Sequence, residues 1–98
     1  MAFAECAARM FTATSILKNA PGCSGVYALS NAREWVFIGE ASDIRARLLE
    51  HLKETGTALR GRNPTGFTFE ICSPADRCSR QAELVREFAP YCNRQSYY

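Results

Sequence analysis

"VFIGEASDIRARLLEHL", residues 36–52, changes within one short stretch from the periodicity of a strand to that of a helix. Val36, Phe37 and Ile38 are a β-branched and aromatic run, and Gly39 ends it. Ser42 or Asp43 can then cap a helix in which Ile44, Leu48 and Leu52 recur at i, i+4 and i+8 and so share one face. Arg47 and His51 stand one turn apart along an edge of that apolar stripe, where a side chain is neither fully buried nor wholly solvated, and they can converge on one ligand.

Working outward, "GVYALS" (25–30) alternates Val26, Ala28 and Ser30 against Tyr27 and Leu29, and the four residues "NARE" before Trp35 suit a hairpin loop. Upstream, Thr12 or Thr14 is placed to cap a short helix that Pro21 and Gly22 stop. Downstream, Gly56, Gly61, Pro64 and Gly66 predict a loop over 55–66, and "FTFEICS" (67–73) alternates cleanly as a third strand. A last helix is expected from near Asp76 to Pro90, with Ala82, Leu84, Val85 and Phe88 on its apolar face. Trp35, Phe67 and Phe69 read as core or sheet packing. Helix, strand, strand, helix, strand, helix predicts an α+β fold: a small three-stranded antiparallel sheet flanked by helices.

With 98 residues and an apolar fraction of 47%, the chain can bury one core, so a single domain over 1–98 is expected. The formal charge of +2 does not by itself indicate a strongly electrostatic nucleic-acid binder. The distribution is more telling: Arg45, Arg47, Lys53, Arg60 and Arg62 outnumber Glu50 and Glu54 in one segment, which suits either a phosphate backbone or a solvated face. Five cysteines, irregularly spaced and with no C-x-x-C pair, argue against a disulfide framework or a structural zinc site. No apolar run reaches the ~18 residues of a membrane span. A soluble, reducing, cytoplasmic location without membrane partners is the expectation.

Taken together, "GVY" (25–27), "FIG" (37–39), the helix "ASDIRARLLEHL" and the ending "ELVREFAPYCN" resemble the GIY-YIG nuclease domain. The resemblance covers residues from about Gly22 to Asn93. It implies an endonuclease that hydrolyses phosphodiester bonds in nucleic acid, DNA ahead of RNA, with a divalent ion, Mg²⁺ or Mn²⁺. Gly25, Phe37 and Gly39 fall on motif positions, Phe37 where a second tyrosine is usual. The resemblance further implies that Tyr27 positions or deprotonates the attacking water, that Arg47 is the catalytic arginine with His51 one turn later, and that Asn93 closes the motif. Arg45, Lys53, Arg60 and Arg62 would contact nucleic acid.

These residue types suit the reaction. Charge develops on the phosphoryl oxygens during hydrolysis, where a guanidinium is useful, and a phenol or imidazole within hydrogen-bond reach can relay the proton of water. The family's metal-binding glutamate falls on Gln81, a neutral and weak donor for a hard cation. Glu83 lies about 200° further round the helix and replaces it only if the local register shifts. Glu40 stands where lysine is frequent. Two other functions are compatible with the same residues: a catalytically impaired nucleic-acid-binding module on this fold, favoured by Gln81, and a protein-interaction domain.

Overall fold

The computed structural model describes residues 8–32, 34–58 and 64–90, with side chains of the second stretch described through Lys53. Its elements are β1 (Arg9–Met10), α1 (Ala13–Asn19), β2 (Gly25–Ser30), β3 (Trp35–Ala41), α2 (Ile44–Ala58), β4 (Gly66–Ile71) and α3 (Arg77–Phe88). The strands form an antiparallel sheet in the order β1-β4-β2-β3. The α+β class therefore stands as read from sequence, with one small strand more than expected. Two residues are too few to show an alternation, and β1 exists because Arg9 and Met10 pair with Phe67 and Gly66 on the edge of β4.

β2 is covered on both faces, which is why its five residues Gly25 to Leu29 are all buried. Tyr27 and Leu29 pack with Ile16 of α1, Ile44 and Leu48 of α2, and Phe67 of β4. Val26 and Ala28, pointing the other way, pack with Ile38 and Leu84, where α3 lies. Leu29 pairs with Phe37 and Ser30 with Trp35, so Val36 is the extra residue of a β-bulge and turns inward to the first cluster.

Local signals place the helices. Thr12 caps α1, its hydroxyl accepting from the Ser15 N–H at 3.2 Å. Of the two candidates for α2, Asp43 is the cap, accepting from the Ala46 N–H at 3.0 Å. α2 continues to Ala58, so residues 55–58 are helical rather than the start of a loop. A glycine such as Gly56 weakens a helix interior by only ~1 kcal/mol, and a propagating helix can carry it. α3 ends at Ala89, whose left-handed φ of 45° precedes Pro90. On α3, Leu84 is buried and Phe88 packs against Trp35 with ring centroids 4.8 Å apart and planes tilted by 43°, whereas Ala82 is exposed and is not part of the apolar face.

Charged pairs complete the seating of α3. Glu40 and Glu70 are both cross-strand neighbours of Val26, on either side of β2. Arg77 meets Glu40 at 2.6 Å, and Arg80 grips both oxygens of Glu70 at 2.7 and 2.9 Å. The Arg80 hydrogen bonds lower the Glu70 pKa. That stability is therefore present above the pKa of an unfolded glutamate and is lost as pH falls through the lower folded value. Arg80→Met should destabilise the domain by about 1–2 kcal/mol at neutral pH, discounted for partial exposure. Urea denaturation across pH checks it: the variant's acid-side decline should be shallower than that of the wild type.

Candidate active site

The antiparallel register sets Tyr27 opposite Gly39, and this pairing builds the centre of the site. A Cβ at residue 39 would come within 2.5 Å of the Tyr27 hydroxyl and 2.8 Å of the Phe37 ring, so only glycine leaves the phenol its place. Gly25 is constrained similarly, since a Cβ there would strike the Glu70 carbonyl and the Ile44 side chain. Tyr27 is 1% exposed, and its hydroxyl meets His51 Nε2 at 2.7 Å. Phe37 covers the pair, with ring centroids 6.1 Å from Tyr27 and 5.3 Å from His51.

Burial pushes the Tyr27 pKa up to about 12, although the nearby Arg47 guanidinium pulls it the other way by charge and by hydrogen bonding. Tyr27 is therefore a neutral phenol throughout the physiological range. A neutral phenol can donate to His51 Nε2 when that nitrogen is unprotonated, or accept from it when it carries the proton. Arg47 itself is held firmly charged, first by Glu50, whose carboxylate it meets at 2.8 Å, and then by Tyr27.

Arg47 and His51 differ more than the sequence reading expects. His51 is buried, whereas the Arg47 side chain is half exposed and reaches the surface. It lines a cleft of about 370 Å³ together with Glu40, Ala41, Ser42, Asp43, Ala46, Glu50 and Arg77. This cleft opens at the Glu40–Ala41 end of β3, an edge strand, between the first turns of α2 and Arg77 at the start of α3. Arg77 is the member that sequence reasoning did not single out: its partner Glu40 is 37 positions away, and no local spacing announces that contact.

The remaining candidates have different positions. Gln81 donates its amide Nε2–H to the Ile38 carbonyl at 3.2 Å, a contact that an ionised carboxylate could not make. Glu83 is exposed and pairs with Arg80 at 3.0 Å. Arg45 donates Nε–H to the carbonyl of Ala20 at the end of α1, so its guanidinium ties α2 to α1. Lys53 is exposed on α2. Arg60, Arg62 and Asn93 lie outside the described residues.

Among the described residues, no cluster of three or more His, Cys, Asp or Glu side chains could hold a metal ion. The donor set near Gln81 does not fit a tightly held divalent ion: it offers one neutral amide oxygen, while Glu40 and Glu83 are engaged by arginines. No described helix is long and apolar enough to cross a membrane.

No protein-family model matches the chain. It is 42% identical over 84 residues to the UvrABC system protein C of Hydrogenobaculum sp. (strain Y04AAS1), a match covering 81% of this chain. The chain spans 15% of that relative's length. Two solved structures of the GIY-YIG N-terminal endonuclease domain of UvrC from Thermotoga maritima superpose with TM-scores of 0.67. One is a point mutant bound to its catalytic divalent cation, 24% identical; the other holds magnesium and is 23% identical. Each match covers 80% of this chain and 94% of that domain.

The protonation state of Tyr27 is directly measurable. An unfolded tyrosine ionises near pH 10 and the folded one near 12, so stability should fall as pH rises between those values, by about 3 kcal/mol. Tyr27→Phe should lack that segment of the decline while being less stable by about 1–2 kcal/mol at neutral pH. Chemical denaturation at stepped alkaline pH compares the two.

Proposed function

The chain is a GIY-YIG superfamily domain, and from that premise we propose that it acts as an endonuclease-type domain on the phosphodiester backbone of nucleic acid, DNA ahead of RNA. The observation that carries the proposal is the clasp of Tyr27 and His51, with Arg47 reaching from that clasp into an open cleft. Arg47 binds the scissile phosphate by exchanging the Glu50 carboxylate for a phosphoryl oxygen, and it stabilises the charge that develops there. Tyr27 accepts the proton of the attacking water as it hands its own to His51. A phenol that stays neutral to about pH 12 performs this as a relay rather than as a preformed tyrosinate.

The family's reaction also uses a divalent ion, magnesium or manganese, which lowers the pKa of water and neutralises phosphate. Gln81 is a poor holder for it, and this favours a second reading in which the domain binds nucleic acid without cutting it efficiently. The basic side chains Arg45 and Lys53, with Arg60 and Arg62, would then contribute general attraction to the backbone. Asn93, which the resemblance makes the closing residue of the motif, is proposed as a site residue in either reading.

Two measurements decide between them. With supercoiled plasmid and Mn²⁺, wild-type protein should nick while Arg47→Ala should be slower by about 10²-fold or more, as for loss of a transition-state donor. Equal rates for the two proteins would exclude catalysis by this site, and binding without nicking by the wild type would select the second reading.

Gln81→Glu should lower the ion concentration needed for nicking. Without ion, it should also lower the thermal midpoint at neutral pH, because a carboxylate would face the Ile38 carbonyl. Such a carboxyl has its folded pKa raised, so the penalty is present above that pKa and is relieved as pH falls and the group regains a proton to donate. Adding Mn²⁺ should restore the variant's midpoint more than that of the wild type, as calorimetry would show.

A further inference from the structure

Resting on the nucleic-acid reading, we propose that Arg77 is a second phosphate-binding residue, seated by Glu40 and Ser24 opposite Arg47 in the cleft. Both arginines line the same cleft, one from α2 and one from α3. Their spacing along the sequence hides this, and the fold brings them together across the end of β3.

The hydrogen bonding of Arg77 leaves it able to take a ligand. Its Nε–H goes to one Glu40 oxygen at 2.6 Å and one Nη1–H to the Ser24 hydroxyl at 3.2 Å. A guanidinium has five N–H donors, so Nη2 and the second Nη1 hydrogen are not used by these two partners. The side chain is 25% exposed, fixed by its two anchors yet open to the cleft.

Arg80, one turn further along α3, is the internal contrast. Each of its three nitrogens holds a carboxylate, Nε and Nη2 both oxygens of Glu70 and Nη1 Glu83, whereas Nη2 of Arg77 is not used by Glu40 or Ser24. Arg80 does not line the cleft. Two arginines on one helix, each paired with a strand glutamate, are thus put to different uses: a bidentate clasp at β4 and a single-point seat at β3.

The charge of the cleft gives this consequence. Glu40, Asp43 and Glu50 line the cleft with Arg47 and Arg77, so carboxylates outnumber guanidiniums three to two, and a phosphate held by Arg47 alone would meet them three to one. Two guanidiniums held on opposite walls can share the phosphate's oxygens, and Glu40 serves as the positioning residue that aims the second one.

The test is equilibrium binding of a fluorescent DNA duplex to the full chain in EDTA, over a range of salt. Arg77→Gln should bind several-fold more weakly, with a salt slope reduced by about one phosphate contact. Arg77→Lys should restore the slope, and Arg80→Gln should keep the wild-type slope whatever it does to stability. Glu40→Gln, which still accepts the Nε–H but removes a negative charge, should bind more tightly than the wild type.

The inference is overturned if the wild type binds and Arg47→Ala weakens it while Arg77→Gln matches the wild type, or if Arg80→Gln lowers the slope equally. Wild-type protein that does not bind even at low salt would instead sink the nucleic-acid reading, and with it this assignment. Thermal denaturation of each variant identifies any that fail to fold, and Glu40→Gln then decides alone: unchanged or weaker binding counts against the proposal.

Discussion

The cross-strand pairing of Tyr27 with Gly39 is the constraint on which the rest depends. A phenol on a strand covered on both faces must find room and a polar partner within the core, because an unpaired buried hydroxyl is destabilising. Gly39 supplies the room by having no side chain, and His51 supplies the partner from α2. A slip of one residue between β2 and β3 would send Tyr27 to the face of α3 and leave His51 without its hydroxyl. The bulge at Val36 lies beyond this pair, so it adjusts the hairpin end without moving the register at Tyr27.

From that pair outward, β3 is the edge strand that two helices address from opposite sides. α2 presents Arg47 and His51, and α3 presents Arg77 and Gln81, each pair spaced i, i+4 and therefore on one face of its helix. In each pair one residue turns inward and the other reaches the cleft: His51 to Tyr27 and Gln81 to the Ile38 carbonyl, Arg47 and Arg77 to open space. The inward members fix the helices, and the outward members thereby acquire positions that long, flexible side chains would not hold alone. Carboxylates complete the arrangement, since Glu50 and Glu40 occupy the two guanidiniums. On the proposed function a phosphate would have to compete with them, which would favour ligands able to engage both arginines at once.

The parts of this fold that were legible in the sequence are those governed by short-range rules. Alternation located β2 and β4, the change of period after Gly39 located the start of α2, and the i, i+4 spacing put Arg47 near His51. Gly56 could not be read correctly as a loop signal, because a helix already propagating tolerates one glycine and continues to Ala58. β1 is too short to show an alternation, and Ala82, though apolar, lies on a side of α3 that is exposed. Arg77 escaped notice because its significance depends on Glu40 and Ser24, 37 and 53 positions distant, and such pairs exist only once the sheet is assembled.

Position 81 shows how one atom type divides two demands on the same place. It sits beside the carbonyl of Ile38, a group that gains from a donor. An amide satisfies that carbonyl and docks α3 to β3 with no ion required, whereas a carboxylate there would set two acceptors against each other unless a proton or a cation came between them. A glutamate at this position therefore makes the local structure depend on a bound ion, and a glutamine frees the structure from the ion while weakening its site. The clasp of Tyr27, His51 and Arg47 lies on the opposite face of β3 and does not use that hydrogen bond. A change at position 81 therefore leaves the clasp of Tyr27, His51 and Arg47 in place, so on the proposed function phosphate recognition and ion dependence would be separable.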